Sequence, residues 1–412
     1  MKTKYLILGA GPAGLTFACA LLRRGEKDFY VIEKEDEVGG LCRSAKVDGS
    51  PLDIGGGHFL DVRRPQVCEF LFDYMPQKEW DRYVRDSRIR LSMYPNADSN
   101  KKKEYELHHP FEANIWELPA AIQKRFLESI ADAGCNTGLP KPERFTDWIK
   151  WKLGTEIAKE YMLPYNRKMY GDNLNDLGTY WLEKLPDVSY EQTLESCKQK
   201  KPFGSQPGHT EFYYPKKYGY GEVWKRMGNE LKDRLLLGNA VKELDCMSCE
   251  ATLEDGTRIS ADDIIVTVPW ETMELKWAPS TIKNSVKLLK STSIDITYYK
   301  ETMDTEAQWI YYPDEELSYH RILVRSNFVP GGKGYWTETR SERYIGGEDD
   351  INFHMEYAYP LNTIAKPAAI SKILDFAAKS HIHGLGRWGE HSHFNSDVTV
   401  ERALKMAEKM LG

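Results

Sequence analysis

Gly9, Gly11 and Gly14 stand at G-x-G-x-x-G spacing in Gly9-Ala10-Gly11-Pro12-Ala13-Gly14. An acid, Glu33, follows, and then two more glycine runs, Gly39-Gly40 and Gly55-Gly56-Gly57-His58. Residues of these types hold a dinucleotide. Gly9 allows a tight turn, Gly11 lets the backbone approach a pyrophosphate, and Gly14 lets a helix sit close on a sheet. The free N–H groups and dipole at that helix start favour an anion. Glu33 is suited to ribose hydroxyls. The three linked signals point to FAD. The expected contacts in the first turn are Gly9, Gly11, Pro12, Ala13 and Gly14. Glu33 and Lys34 follow at the ribose, and Gly40, Leu41, Gly56, Gly57 and His58 in the two later loops.

These residues need a βαβ unit to position them. Tyr5-Leu6-Ile7-Leu8 reads as a buried strand, residues 15–24 as a helix, and Phe29-Tyr30-Val31-Ile32 as a strand ending at Glu33. Further along, residues 89–94 and 105–108 read as strands around a hairpin tip with Lys101-Lys102-Lys103. Helices are expected over 118–133, 144–152 and 155–162, with a turn at Pro164. Residues 222–235, 370–378 and 398–411 are also expected to be helical. Ile264-Ile265-Val266-Thr267-Val268 reads as a buried strand, and Asp255-Gly256 as a hairpin signal. The fold class is α/β, and the dinucleotide unit must be discontinuous.

Composition narrows the function. Lys plus Arg total 56 and Asp plus Glu 62, a net charge of −6, which disfavours nucleic acid as a partner. There are 24 Tyr and 11 Trp among 412 residues, enough to line a pocket that stacks on rings or sugars. Of the seven Cys, only Cys246 and Cys249 form a C-x-x-C pair, read as a hairpin turn with no metal. Reduced thiols and a cytoplasmic location are expected. No run of about 18 apolar residues exists, so no membrane span is expected.

Five later segments carry a resemblance. They are His109-Pro110-Phe111-Glu112-Ala113-Asn114-Ile115; Phe145-Thr146-Asp147-Trp148-Ile149 with Pro164-Tyr165-Asn166-Arg167-Lys168; Tyr214-Pro215 with Gly219-Tyr220-Gly221; Tyr319-His320-Arg321-Ile322; and Gly386-Arg387-Trp388-Gly389. With the N-terminal signals, they resemble the FAD superfamily of amine oxidases, protoporphyrinogen oxidases and UDP-galactopyranose mutases. The likeness is greatest to the mutases, especially their eukaryotic branch. It implies a Rossmann-type, glutathione-reductase-like FAD domain (1–75, 215–275 and 380–412), a helical insertion (112–200), and an antiparallel β-sheet substrate domain (76–111 and 276–379). It implies a nucleotide-sugar mutase interconverting pyranose and furanose forms, in which N5 of reduced FAD attacks the anomeric carbon. The alternative is an FAD-dependent oxidoreductase of the amine oxidase or protoporphyrinogen oxidase type.

The resemblance also assigns residues. His58 and Arg321 are the catalytic candidates, with His58 beside flavin N5 and Arg321 on a diphosphate. Asn114, Asn166, Arg167 and Tyr359 are substrate-binding candidates. Val241 touches adenine through its backbone, and Gly386 with Arg387 closes over FAD. NADPH is a candidate reductant, although no second nucleotide fingerprint is present. Two departures stand out. Leu163 occupies the place of a diphosphate-binding arginine, and no arginine follows in the short run after Arg387. Arg167, Lys168, His391 and His393 are the candidates to compensate. The sequence carries no signal for an oligomeric state.

Overall fold

A computed structural model describes residues 1–96, 98–182, 189–203, 210–347 and 349–412. Its first sheet is built on the β-branched and leucine-rich runs expected of a strand buried on both faces. Lys2–Leu8 lies between Phe29–Ile32 and Arg258–Val266, parallel to both. Leu235–Leu236 extends one edge and Ile382–Gly384 pairs along Arg258–Val266, both parallel. Glu250–Leu253 and Val241–Asp245 continue the sheet as an antiparallel meander. Cys246 and Cys249 sit in its turn as free thiols, as do the other five cysteines.

Alternation along Lys2–Leu8 divides the core. Tyr5 and Ile7 face Phe17, Leu21, Trp224 and Met227 on one side. Leu6 and Leu8 face Ile264, Trp270 and Ile373 on the other. All of these are nearly or fully buried, so truncating any one to alanine would cost about 2–5 kcal/mol.

The second sheet runs in the order Asn352–Pro360, Ser291–Tyr299, Tyr335–Arg340, Arg321–Val324, Trp309–Tyr311, Ser87–Met93, Lys103–His108. It is antiparallel except where Trp309–Tyr311 meets Ser87–Met93 in parallel. Lys101 and Lys102 stand exposed at the tip, and exposed Lys103 opens the strand Lys103–His108. Trp80–Val84, Glu211–Pro215 and Leu60–Asp61 form a small separate sheet with Glu211–Pro215 at its centre.

Helices Ala120–Ala131, Phe145–Ile157, Leu163–Tyr170 and Tyr190–Gln199 follow one another between the strands Lys103–His108 and Glu211–Pro215. Residues 183–188, within the expected helical stretch, lie outside the described residues. Gly154 has φ +79° and kinks its helix, which divides the chain where two helices were expected. A Cβ on Gly154 would lie 2.4 Å from Ser129 O. The turn expected at Pro164 is absent. Pro164 falls in the first turn of Leu163–Tyr170, where its missing N–H costs nothing, and the π-helical turn Ala158–Met162 runs straight into it. Among the described residues no helix is long and apolar enough to cross a membrane.

Candidate functional site

The site begins where Lys2–Leu8 ends. Gly9 has φ +101°, and a Cβ there would lie 2.5 Å from Thr267 Oγ1. A Cβ on Gly14 would lie 2.0 Å from Gly9 O, so helix Pro12–Arg23 rests on the turn at contact distance. Gly11 differs from both. The nearest atom to its Cβ position is Gly40 Cα at 3.9 Å, and the space beside it is a cavity. That cavity, about 350 Å³, is lined by Gly9, Gly11, Pro12, Ala13, Glu33, Lys34, Gly40, Leu41, Arg43, His58 and Arg387, among others. The N-cap of the helix, Gly11, provides no side-chain hydrogen bond, which leaves its first N–H groups for an anion.

Glu33 is tied to the turn itself. Its Oε2 accepts the Ala10 N–H at 2.7 Å and its Oε1 the Glu35 N–H at 3.1 Å. Each oxygen keeps a lone pair for a ribose hydroxyl. The open face of Gly11, the uncapped helix start and this acid fit the pyrophosphate and ribose of FAD.

His58 is carried to the cavity by a loop that only glycine can form. A Cβ on Gly55 would meet Leu41 O at 2.0 Å, and one on Gly57 would meet Leu323 Cδ2 at 2.2 Å. His58 Nδ1 lies 2.9 Å from Gly56 O. A carbonyl only accepts, so Nδ1 carries the proton and Nε2 is the acceptor. Burial and the Arg387 charge hold His58 down at about 3, so the ring is neutral at physiological pH.

Beyond His58 lies a second cluster. Arg321 donates from Nε to Glu338 Oε2 at 2.9 Å and from its terminal nitrogen to the same oxygen. Glu338 is fully buried, and its Oε1 accepts the Gly57 N–H at 2.8 Å. One carboxylate thus joins the His58 loop to Arg321. The Arg321 charge reaches Tyr165, Tyr311 and Tyr359. The hydroxyls of Tyr165 and Tyr359 have no hydrogen-bond partner among the described residues. Arg85 donates to Tyr311 Oη at 2.6 Å and, among the described residues, has no carboxylate partner. His109 packs on Tyr311 with ring centroids 4.9 Å apart. Burial, with Arg85 and Arg321, pushes His109 down to about 3.

Other expected residues fall elsewhere. Both polar atoms of the Asn114 amide are engaged within its own segment, Nδ2 with Pro110 O and Oδ1 with Trp116. Asn166 does not cap a helix; it lies inside one, and Nδ2 donates to Met162 O at 2.7 Å. Arg167 turns outward and pairs with half-exposed Glu315 at 3.1 Å. Lys168 is fully buried and donates to Tyr312 O and Asp314 O, both at 2.8 Å. Leu163 packs against an apolar cluster with Trp148 and Phe145. Val241 pairs with Leu253 and does not line the cavity. Arg387 lines it, with its guanidinium clamped on Phe394 O and Ala358 O at 2.8–3.0 Å. Of the residues after Arg387, His391 is buried on Lys290 O, while His393 packs on Tyr359 at 5.0 Å.

Sequence reasoning missed Arg85, His109 and Glu338. No motif marks Arg85 or Glu338, and His109 opens a recognised segment without being given a role in it. The one signal at hand was chemical: Glu338 is an acid among inward-facing positions of a strand.

Fold and site together define a flavoprotein of the dinucleotide-binding type. Residues 7–74 match an NAD(P)-binding Rossmann-like domain. Residues 63–300, more than half the chain, match the flavin containing amine oxidoreductase model, and the chain belongs to that family. An uncharacterized protein in the nifH2 3' region of Methanothermococcus thermolithotrophicus is 50% identical over 99 residues, 24% of this chain and 89% of that one. Putrescine oxidase of Kocuria rosea is 30% identical over 110 residues, but the match covers only 22% of that enzyme. Among solved structures, reduced UDP-galactopyranose mutase superposes with a TM-score of 0.86 at 22% identity, covering 100% of this chain and 94% of that one. A putative protoporphyrinogen oxidase from Exiguobacterium sp. 255-15 gives 0.67 at 13% identity, covering 99% and 98%. At these identities the structural matches speak for the fold.

Proposed function

We propose that this chain is an FAD-dependent nucleotide-sugar mutase of the UDP-galactopyranose mutase type, interconverting pyranose and furanose sugars. The observation that carries it is Arg321 set among tyrosines, two of them with unpaired hydroxyls, within electrostatic reach of His58, which lines the cavity. A guanidinium with spare hydroxyl donors suits the oxygens of a diphosphate. Reduced FAD would supply N5 as the nucleophile toward the anomeric carbon. The protein's part is to orient the sugar and stabilise charge. Arg321 and the hydroxyls of Tyr165 and Tyr359 hold the diphosphate. Neutral His58 presents Nε2 as an acceptor toward the flavin edge. Arg85 offers the cation that Leu163 does not.

The same reading keeps the division into a discontinuous FAD unit, a helical insertion and a sheet-based substrate unit, with NADPH as a candidate reductant. The seven free thiols support a cytoplasmic location. A second reading, an FAD oxidoreductase acting on an amine, draws on the family itself and the local likeness to putrescine oxidase.

One experiment separates them. The purified yellow protein is reduced with dithionite and given UDP-galactopyranose or UDP-galactofuranose. The mutase reading expects hexose interconversion without net flavin oxidation. Absence of interconversion with every nucleotide-sugar tried, alongside rapid flavin reduction by an amine, would sink it.

A further inference from the structure

Asp53 lies directly behind His58 and takes no part in the chemistry described above. Its carboxylate is fully buried, yet no cation pairs with it among the described residues. Three hydrogen-bond donors converge on it instead, and a further N–H faces it. Ser44 Oγ donates to Oδ1 at 2.6 Å and Tyr214 Oη to Oδ2 at 3.0 Å. The Tyr220 N–H donates to Oδ1 at 3.2 Å, and the backbone N–H of His58 also turns to this carboxylate. Both carboxyl oxygens are therefore held by donors.

The polarity of the network is fixed. Ser44 Oγ accepts the Gly221 N–H at 2.8 Å, so its single hydrogen is committed to Asp53. Tyr220 is held beside His58, their rings stacked 10° from parallel at 6.3 Å. Tyr220 Oη is also bonded to Ser396 Oγ at 2.8 Å, and Ser396 lines the cavity. Thus the backbone of His58 and the ring stacked on it are both set by one buried acid.

We infer that Asp53 is a positioning residue that aims the Nε2 lone pair of His58 at the flavin, acting through the His58 N–H and through Tyr220. Asparagine is the informative replacement. It fills the same space, but its NH₂ cannot accept, so the donors on that side lose their acceptor or, for the Tyr214 hydroxyl, must turn round to accept. The inference rests on FAD occupying the cavity and not on the mutase reading. A wild-type protein without bound FAD shows no flavin spectrum, which separates the two failures.

The test is spectroelectrochemical titration of the FAD-loaded protein in a double-mutant cycle. Asp53→Asn is made alone and in a His58→Ala background, with Leu52→Ala as a packing control. Leu52 is the buried neighbour of Asp53 and makes no polar contact. The account predicts that Asp53→Asn changes the ratio of reduced to oxidised flavin at fixed potential tenfold or more. For a two-electron couple that is about 30 mV. In the His58→Ala background the change falls below about twofold, and Leu52→Ala leaves the ratio in place while lowering the Tm. An equal shift in both backgrounds, or none in either, overturns the inference. If Asp53→Asn does not retain FAD, Ser44→Ala/Tyr214→Phe removes two donors and keeps the carboxylate. It is expected to shift the ratio less, and again only when His58 is present; a shift indifferent to His58 counts against the inference.

Discussion

The dinucleotide cradle and the Arg321 cluster are neighbours built on opposite plans. The cradle is made by backbone. Gly9, Gly14, Gly55 and Gly57 are places where a Cβ would strike a carbonyl or side chain at 2.0–2.5 Å. The Arg321 cluster is made by side chains from six separate segments: Arg85, His109, Tyr165, Arg321, Glu338 and Tyr359. A backbone site leaves a local glycine pattern in the sequence. A side-chain site leaves no local pattern, because the residues meet only when the second sheet and the helical insertion have folded.

This contrast can be broken or sharpened by substitution. The largest effect is expected of Gly14→Ala. Its methyl would sit 2.0 Å from Gly9 O, and neither helix nor strand can yield. Loss of about 4 kcal/mol or more is expected, read as a collapse in thermal stability together with FAD content. Next comes Glu338→Gln. It breaks the ion pair of fully buried Glu338 with partly buried Arg321 and should cost about 3 kcal/mol in urea unfolding. A cost below 1 kcal/mol would mean that Glu338 does not anchor the cluster.

Gly11→Ala separates fold from ligand within the cradle itself. Its Cβ meets no protein atom closer than 3.9 Å, so the unloaded protein should lose less than about 1 kcal/mol. FAD binding should weaken at least about a hundredfold, because the methyl enters the space that the pyrophosphate needs. Equal losses in fold and FAD would erase the distinction.

Acid should act on the second region first. His109 is held at about 3 by burial and the charges of Arg85 and Arg321. Burial drives His320, its unpaired nitrogens enclosed, well below its ordinary value. Both are neutral in the folded protein, whereas the unfolded chain takes up protons near 6.5. Their contribution to stability is therefore complete above 6.5 and declines as pH falls toward 3. The slope approaches about 1.4 kcal/mol per pH unit for each histidine. Asp53, raised by burial to about 7, acts in the opposite sense between 3.8 and 7 and protects the region around His58. Hydrogen exchange at pH 5 should thus rise in Trp309–Tyr311 and Arg321–Val324 before Lys2–Leu8. The reverse order would contradict the account.

Much of the architecture was legible in the sequence for the same physical reason. Buried parallel strands such as Tyr5-Leu6-Ile7-Leu8 and Ile264-Ile265-Val266 are continuous apolar runs, and both appear where expected. Gly154 marked a helix break. Pro164 misled because proline is harmless in a first helical turn, and a π-helical segment before it hides the boundary. In the site, Glu33 and Arg387 both line the cavity; the Arg387 guanidinium is spent on backbone carbonyls, whereas each Glu33 oxygen keeps a lone pair. Arg167 was misassigned because the helical phase that buries Lys168 turns its neighbour outward. Arg85, in the short link between Trp80–Val84 and Ser87–Met93, and Glu338, on Tyr335–Arg340, were invisible because a charged residue reads as solvated until the fold buries it.

The central claim is that nucleotide is held by the Arg321 cluster and FAD by the glycine cradle. It is tested most directly by titrating UDP into the FAD-loaded wild-type and Arg321→Ala proteins, with FAD content measured in the same samples. The account predicts at least about a hundredfold loss of UDP affinity in Arg321→Ala, the value of a charged, hydrogen-bonded contact of about 3 kcal/mol, with FAD content unchanged. Unchanged UDP affinity, or loss of FAD in parallel with UDP, would contradict it.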